Sequence, residues 1–207
     1  SIVGGEGDDT LQVTSIDADD FANVSEVENL QLTNGGSATL SSNLSFTTID
    51  LTSGATNETV TLADGYTAET TISVDAADSV VNTGADAVIT INASAGDLET
   101  GEVTITGADA AGVINTVNAT NDTAAATIDV AAQMTNVDVL NILDHTTAGN
   151  DLSVNLAAYA TALTLDASAL DTGEDLTITG VAGAALTVTS GAGADTLTGG
   201  DGDDTFN

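Results

Sequence analysis

The chain has no lysine and no arginine, against 32 Asp plus Glu. An ordinary chain carries Lys and Arg as roughly half of its ~25% charged residues, so chance does not explain the zero. With a formal net charge of −32, no nucleic acid or anionic lipid is expected to bind directly. Phosphate clamps and Schiff-base chemistry need the same missing side chains. Cysteine is absent as well, which excludes disulfides and thiolate metal sites. Proline and tryptophan are absent, and aromatic residues make up 2% of the chain. Tyr66, Tyr159 and three Phe are too few for a sugar-binding platform. No apolar run reaches the ~18 residues of a membrane span, so no direct membrane insertion is expected. No basic-then-apolar signal peptide opens the chain.

Strong acidity often marks disorder, because little apolar surface is then left to bury. Here apolar residues are 42% and mean hydropathy is +0.19. They also recur in a regular pattern. The chain reads as ordered, with carboxylates that are hydrated or held by cations. Self-repulsion at this charge opposes the compact state, and divalent cations relieve it.

One texture runs from end to end: short alternating segments of Thr, Val, Ile and Leu between Gly, Asp, Asn and Ala turns. Phe46–Leu51, Glu58–Leu62, Thr70–Val74, Val88–Asn92 and Glu102–Thr106 are examples. Leu152–Leu156, Ala162–Asp166, Asp175–Thr179 and Ala185–Thr189 continue the series. Period two marks a half-buried strand. Thr and Val suit a pleated surface. Two all-β architectures fit, an antiparallel sandwich and a parallel β-solenoid. The sequence favours the solenoid. It has no array of Asn-Gly or Asp-Gly hairpins and few aromatics to fill a sandwich. Its inward residues are small or aliphatic, as a narrow stack of coils requires. Short helical turns are expected only around Asp19–Val24 and Ala131–Met134.

A weak internal repeat is visible. Ile16-Asp17, then Phe21-Ala22-Asn23-Val24, precedes the strand Val27–Leu32. Ile128-Asp129, then Met134-Thr135-Asn136-Val137, precedes Val139–Leu143. Repeats of one structural unit are what solenoids are made of.

The residues that carry chemistry sit near the two ends. Gly4-Gly5-Glu6-Gly7-Asp8-Asp9-Thr10-Leu11-Gln12 fits the nonapeptide G-G-x-G-x-D-x-U-x, where U is large and apolar. Gly199-Gly200-Asp201-Gly202-Asp203-Asp204-Thr205-Phe206-Asn207 fits it again. Directly before it, Ser190-Gly191-Ala192-Gly193-Ala194-Asp195-Thr196-Leu197-Thr198 fits with Ser for the first Gly. Glycines allow a tight turn that aims carbonyl oxygens inward. The sixth position supplies a carboxylate. Calcium takes six to eight hard oxygen ligands in flexible geometry, which carbonyls and carboxylates provide. The candidate metal residues are therefore Gly5, Gly7, Asp9, Gly191, Gly193, Asp195, Gly200, Asp201, Gly202 and Asp204.

On these residues the chain resembles the RTX family, whose motif is the calcium-binding β-helix repeat. More narrowly it resembles repetitive S-layer and giant surface proteins that carry RTX motifs. The resemblance implies calcium as the cofactor, export by a type I system, and folding outside the cell or at its surface. In that family each nonapeptide makes half a coil, and calcium lies between loops about 18 residues apart. This chain has only two consecutive copies, on opposite sides of one coil. Complete sites would need loops from beyond residue 207, from a neighbouring subunit, or from the coil before residue 190.

The sequence is expected to form a single β-solenoid module over 1–207, with calcium-binding turns at 4–12 and 190–207. Its function is expected to be structural and not enzymatic. It would be a self-assembling subunit or module of a surface layer or filament, with copies of itself and calcium as partners. A spacer or ligand-binding module of a giant RTX adhesin is the alternative. A carbohydrate-active module, with cell-surface polysaccharide as partner, comes third. Both termini fall in or beside the motif, which suggests a module of a longer chain or a protomer stacked end to end. His145 lacks a second His or Cys and reads as a surface residue. Asp17, Asp19 and Asp20 read as a weak cation site or a solvated loop. Asn23, Asn43, Asn57, Asn92, Asn118 and Asn121 fit N-x-[ST], which arises freely in such a composition. Asn115, Asn118 and Asn121 read as a ladder or a turn.

Overall fold

Nearly every alternating segment becomes a short strand, with its apolar residues turned into the core and its Thr and Ser half-exposed. The computed structural model describes all residues except 18, 43, 54–56, 83–86, 100, 110–112, 146–148 and 181–182. Every described strand pair is parallel, so the fold is a parallel β-solenoid and the sandwich is excluded. Among the described residues, helix is confined to a 3-10 turn at Asp20–Asn23 and one α turn at Val130–Gln133. The chain divides into two compact units. Unit 1 is Ser1–Ile91 with Val103–Asn115, and unit 2 is Asn92–Glu102 with Thr116–Asn207.

In unit 1 the strand Asn29–Leu40 serves two faces at once. Its first part pairs with Thr10–Val13 and Thr48–Asp50, its last with Ser15–Ile16 and Thr59–Leu62. The corner is Asn34-Gly35-Gly36. Asn34 and Gly35 have φ of 58° and 71°. A Cβ on Gly36 would stand 1.4 Å from the Thr14 carbonyl oxygen, so only glycine fits. Aliphatic side chains stack in register along each face. Leu30 lies over Ile49 and Ile72, and Val60 over Val80 and Ile105, all closed to water. Each such side chain contributes about 1.5–3 kcal/mol by burial. Phe21 and Phe46 are buried and meet edge to face, with ring centroids 5.7 Å apart.

In unit 2 one face stacks Asn115–Asn121, Val139–Asp144, Leu163–Asp166, Leu186–Thr189 and Thr205–Phe206. The other stacks Ala126–Asp129, Leu152–Asn155, Leu176–Thr179 and Thr196–Leu197. The coils shorten along the chain. Thr127 pairs with Ser153, 26 residues on; Ser153 pairs with Thr177, 24 on; Thr177 pairs with Thr196, 19 on. On the opposite face Thr187 pairs with Thr205, 18 residues on. The nonapeptide coil is thus the shortest in the unit, because its Gly/Asp turns carry no extra residues.

The internal repeat is a repeat of structure in a different register. Each copy is a helical turn, a two-residue strand, a left-handed residue and a longer strand. The two-residue strands are Val24–Ser25 and Met134–Thr135. The left-handed residues are Glu26 (φ 55°) and Asn136 (φ 53°). Structure therefore equates Val24 with Met134, three residues away from the sequence match of Phe21 with Met134. The backbone corner, not the Asn side chain, is the repeated element.

Candidate metal centre

In the N-terminal nonapeptide, strand Ile2–Val3 pairs with Val24–Ser25, and the Gly4 N–H donates to the Ser25 carbonyl at 3.1 Å. A Cβ on Gly4 would meet the Glu26 carbonyl oxygen at 1.8 Å and the Asp9 carboxylate at 2.6 Å. Gly5 and Gly7 have φ of 117° and 124°, which L side chains rarely adopt. The turn delivers Asp9 half-buried onto the next coil. Its N–H donates to Glu28 Oε2 at 3.0 Å and its carbonyl accepts the Asn29 N–H at 3.0 Å. Its Oδ2 is buried and has no hydrogen-bond donor.

In the C-terminal copies the glycines serve a different need. A Cβ on Gly193 would stand 2.0 Å from the Glu174 carbonyl oxygen, and one on Gly202 would stand 2.2 Å from that of Ala184. A Cβ on Gly191 would meet the Leu170 carbonyl oxygen at 2.7 Å. These residues let each nonapeptide lie directly on the carbonyls of the coil before it. Asp195 Oδ1 accepts the Leu176 N–H at 2.9 Å, and Asp204 Oδ1 accepts the Leu186 N–H at 3.0 Å. Asp204 Oδ2 accepts the Gly200 N–H at 2.9 Å. Asp195 and Asp204 are half-buried, whereas Gly200 and Asp201 are exposed.

The coil before residue 190 carries acidic residues in register with the motif. Asp175 Oδ1 accepts the Ala194 N–H at 2.7 Å, and Asp151 Oδ1 accepts the Asp175 N–H at 3.1 Å. Neither Asp151 nor Asp175 lies in a nonapeptide, so sequence matching passed over both. The signal was present in the alternation: Asp175 directly precedes a strand, as Asp195 does. All donors here are hard oxygens, and Asp9 offers one buried oxygen with no donor, so the residues fit calcium. Among the described residues no three acidic or histidine side chains converge on one point. Backbone carbonyls must therefore complete any ligand set.

Other predicted residues fall elsewhere. Asp17, Asp19 and Asp20 are exposed, and Asp17 Oδ1 accepts the N–H groups of Asp19 and Asp20 at the start of the 3-10 turn. His145 is exposed. Tyr66 and Tyr159 are buried, and Tyr66 donates to the Phe46 carbonyl at 3.2 Å, so neither offers a platform. Asn118 bridges Asn92 and Asn141 through 2.9 Å amide bonds on both sides, forming a ladder. Asn115 and Asn121 are buried instead. Asn23 and Asn57 are exposed, and Asn43 lies outside the described residues.

A family model for the RTX calcium-binding nonapeptide repeat, in four copies, matches residues 1–13 and 187–207. No curated protein and no solved structure matches the chain. The matched segments are the same turns whose glycines lie on neighbouring carbonyls and whose Asp residues reach the adjacent coil. The chain carries RTX nonapeptide repeats in these two segments, and calcium is the ion such repeats bind.

Proposed function

We propose that the chain is a non-enzymatic structural module of an extracellular or cell-surface protein, and that calcium drives its folding and self-assembly. The observation that supports this best is the packing of each nonapeptide. Gly193 and Gly202 lie on the carbonyls of the preceding coil, beside half-buried Asp195 and Asp204. Calcium there would be held by the Asp9, Asp195 and Asp204 carboxylates and by carbonyls of the glycine turns, including those of Gly5, Gly7, Gly191, Gly193, Gly200 and Gly202. Asp201, though exposed, stands in the same turn. Bound calcium supplies positive charge that the chain wholly lacks. The chain's own part is to stack donors between successive coils, so that ion binding and coil closure are one event.

Export by a type I system and a surface-layer or filament setting follow as parts of this reading. A spacer or ligand-binding module of a giant RTX adhesin, with cell-surface polysaccharide among its partners, is the second reading. It draws on the in-register stacking of coils within each unit, which suits a spacer as well as a subunit.

Calcium titrated into chelated protein separates the two. Light scattering reads size and far-UV circular dichroism reads β-structure. Particles that appear together with β-structure support calcium-gated assembly. β-structure in a monomer supports the spacer. β-content and assembly that ignore chelation would refute the calcium mechanism.

A further inference from the structure

Away from the nonapeptides, unit 1 buries two acidic side chains against each other. Glu58 is 0% exposed and Asp78 is 1% exposed. They occupy equivalent positions on neighbouring rungs, since Thr59 pairs with Ser79. Glu58 Oε1 accepts the Gly35 N–H at 2.9 Å. Asp78 Oδ1 accepts the Glu58 N–H at 3.0 Å, and its Oδ2 accepts the Asp75 N–H at 2.9 Å. The Glu58 side chain acts on the Asp78 carboxyl and favours its protonated form. Glu58 Oε2 is buried with no donor.

Two buried carboxylates cannot both stay charged side by side without compensation. The chain has no Lys or Arg to offer. A proton and a metal ion are the remaining ways to neutralise one charge. A divalent cation needs six or more oxygens. Here three of the four carboxyl oxygens already accept backbone N–H groups. No third acidic or histidine side chain joins them in a metal-sized cluster among the described residues. One free oxygen is enough for a proton.

We propose that Glu58 and Asp78 share a single proton, forming a latch that ties three successive rungs of unit 1 and loosens when the proton leaves. Burial keeps the hydrogen on the Asp78 carboxyl, and Glu58 Oε2, which has no other donor, is the open acceptor for it. The other groups around the pair are sparse. Asp75, on the same turn as Asp78, adds like charge. The rung on the Glu58 side presents Gly35 and Gly36. The rung on the Asp78 side presents Val103 beside exposed Glu102.

Desolvation by burial outweighs the two N–H donors and, with Asp75 and Glu58, pushes Asp78 up to about 7. The folded value lies above the ordinary 3.8. The folded unit therefore holds a proton that the unfolded chain has released between about pH 4 and pH 7. Its stability falls as pH rises through that window and levels off above it. This dependence is separate from calcium at the nonapeptide turns.

The test uses the full chain at saturating calcium. Amide exchange at Val60 and Val80, corrected for intrinsic rates, is compared between wild type and Glu58→Gln at about pH 5 and about pH 7. Glutamine keeps the acceptor for Gly35 and supplies a permanent donor toward Asp78. Wild-type protection should fall by up to about tenfold per pH unit relative to the variant. Parallel profiles would overturn the latch. Infrared spectra of the wild type give a readout that does not depend on the variant's folding. The carbonyl band of a protonated carboxylic acid should persist at about pH 6 and vanish by about pH 8. Its absence at the lower pH would also overturn the proposal. So would protection at Val60 that, on adding calcium to chelated protein, rises in the wild type but not in the variant, because a cation would then occupy the pair.

Discussion

Within unit 2 one column of side chains passes through two kinds of coil. Ile128, Val154 and Ile178 stack in register and are closed to water. One rung on, Leu197 takes the same column half-exposed. On the other face Leu165 and Val188 are buried, and Phe206 above them is 42% exposed. The aliphatic coils are held by what they bury. The nonapeptide coils are shorter and lay glycine turns and the Asp195 and Asp204 carboxylates against the coil before them, where a bound cation would neutralise the crowded oxygens. A single solenoid thus uses two stabilising principles, and the change lies in coil length and turn composition rather than in strand pairing.

A second comparison sets buried acids against each other. Glu174 in unit 2 is 0% exposed, like Glu58 in unit 1. Glu174 accepts the Asp171 N–H at 3.0 Å and an Asn121 amide N–H at 3.4 Å. Asn121 also donates to the Asn150 carbonyl at 2.7 Å, and the Asn150 amide returns a bond to the Asn121 carbonyl. An amide donor is permanent, whereas the acid partner in unit 1 donates only while protonated. One unit solves the buried carboxylate with a neutral side chain and the other with a proton.

The largest effect is expected where this second contrast is erased. Asn121→Asp places an uncompensated carboxylate beside Glu174 and should cost unit 2 about 3–5 kcal/mol at neutral pH. Urea unfolding at saturating calcium should show part of that loss recovered in acid. Ile178→Ala empties a dry column and should cost about 2–5 kcal/mol, with or without calcium, whereas Phe206→Ala should cost less than about 1 kcal/mol. Equal losses would erase the distinction between coil types. Gly202→Ala forces a Cβ onto the Ala184 carbonyl and should cost about 1–3 kcal/mol, read as a higher calcium midpoint in circular dichroism. The smallest effect concerns the amide ladder from Gln12 through Gln31 to Asp50. Partial burial raises Asp50, but bonds from the Thr52 hydroxyl, Gln31 and the Thr52 N–H outweigh it and hold the group below its ordinary value of 3.8. Its contribution is present above that value and lost as pH falls through the lowered one. Solvent screening keeps it under about 1 kcal/mol, measurable as a shallower acid-unfolding slope in Gln31→Leu.

Period-two alternation made the strands legible, because Thr and Ser face out wherever Val, Ile and Leu face in. The parallel stack followed from the small interior residues and the missing hairpin turns. The nonapeptides were legible as motifs, and Asp9, Asp195 and Asp204 do stand half-buried between coils. What the motif did not carry was why each glycine is needed. Gly5 and Gly7 serve backbone angle, while Gly193 and Gly202 serve contact with a coil 18 to 19 residues away. Asp151 and Asp175 were passed over for the same reason: the place before a strand is legible for Asp175, but the role of both depends on which rung lies beside them. Strand Asn115–Asn121 was obscured by its polarity, since Asn115 and Asn121 are buried through amide bonds rather than apolarity. Nothing in the sequence marks Glu58 and Asp78 as a pair; strand register brings them together.

The central claim is that calcium orders the nonapeptide coils while the aliphatic coils hold themselves. Residue-resolved hydrogen exchange on the full chain, with calcium and with chelator, tests it most directly. The account predicts that chelation removes protection at Thr196–Leu197 and Thr205–Phe206 by at least about tenfold more than at Leu152–Asn155 and Leu163–Asp166. Equal loss at all four strands, or no loss at any, would contradict it.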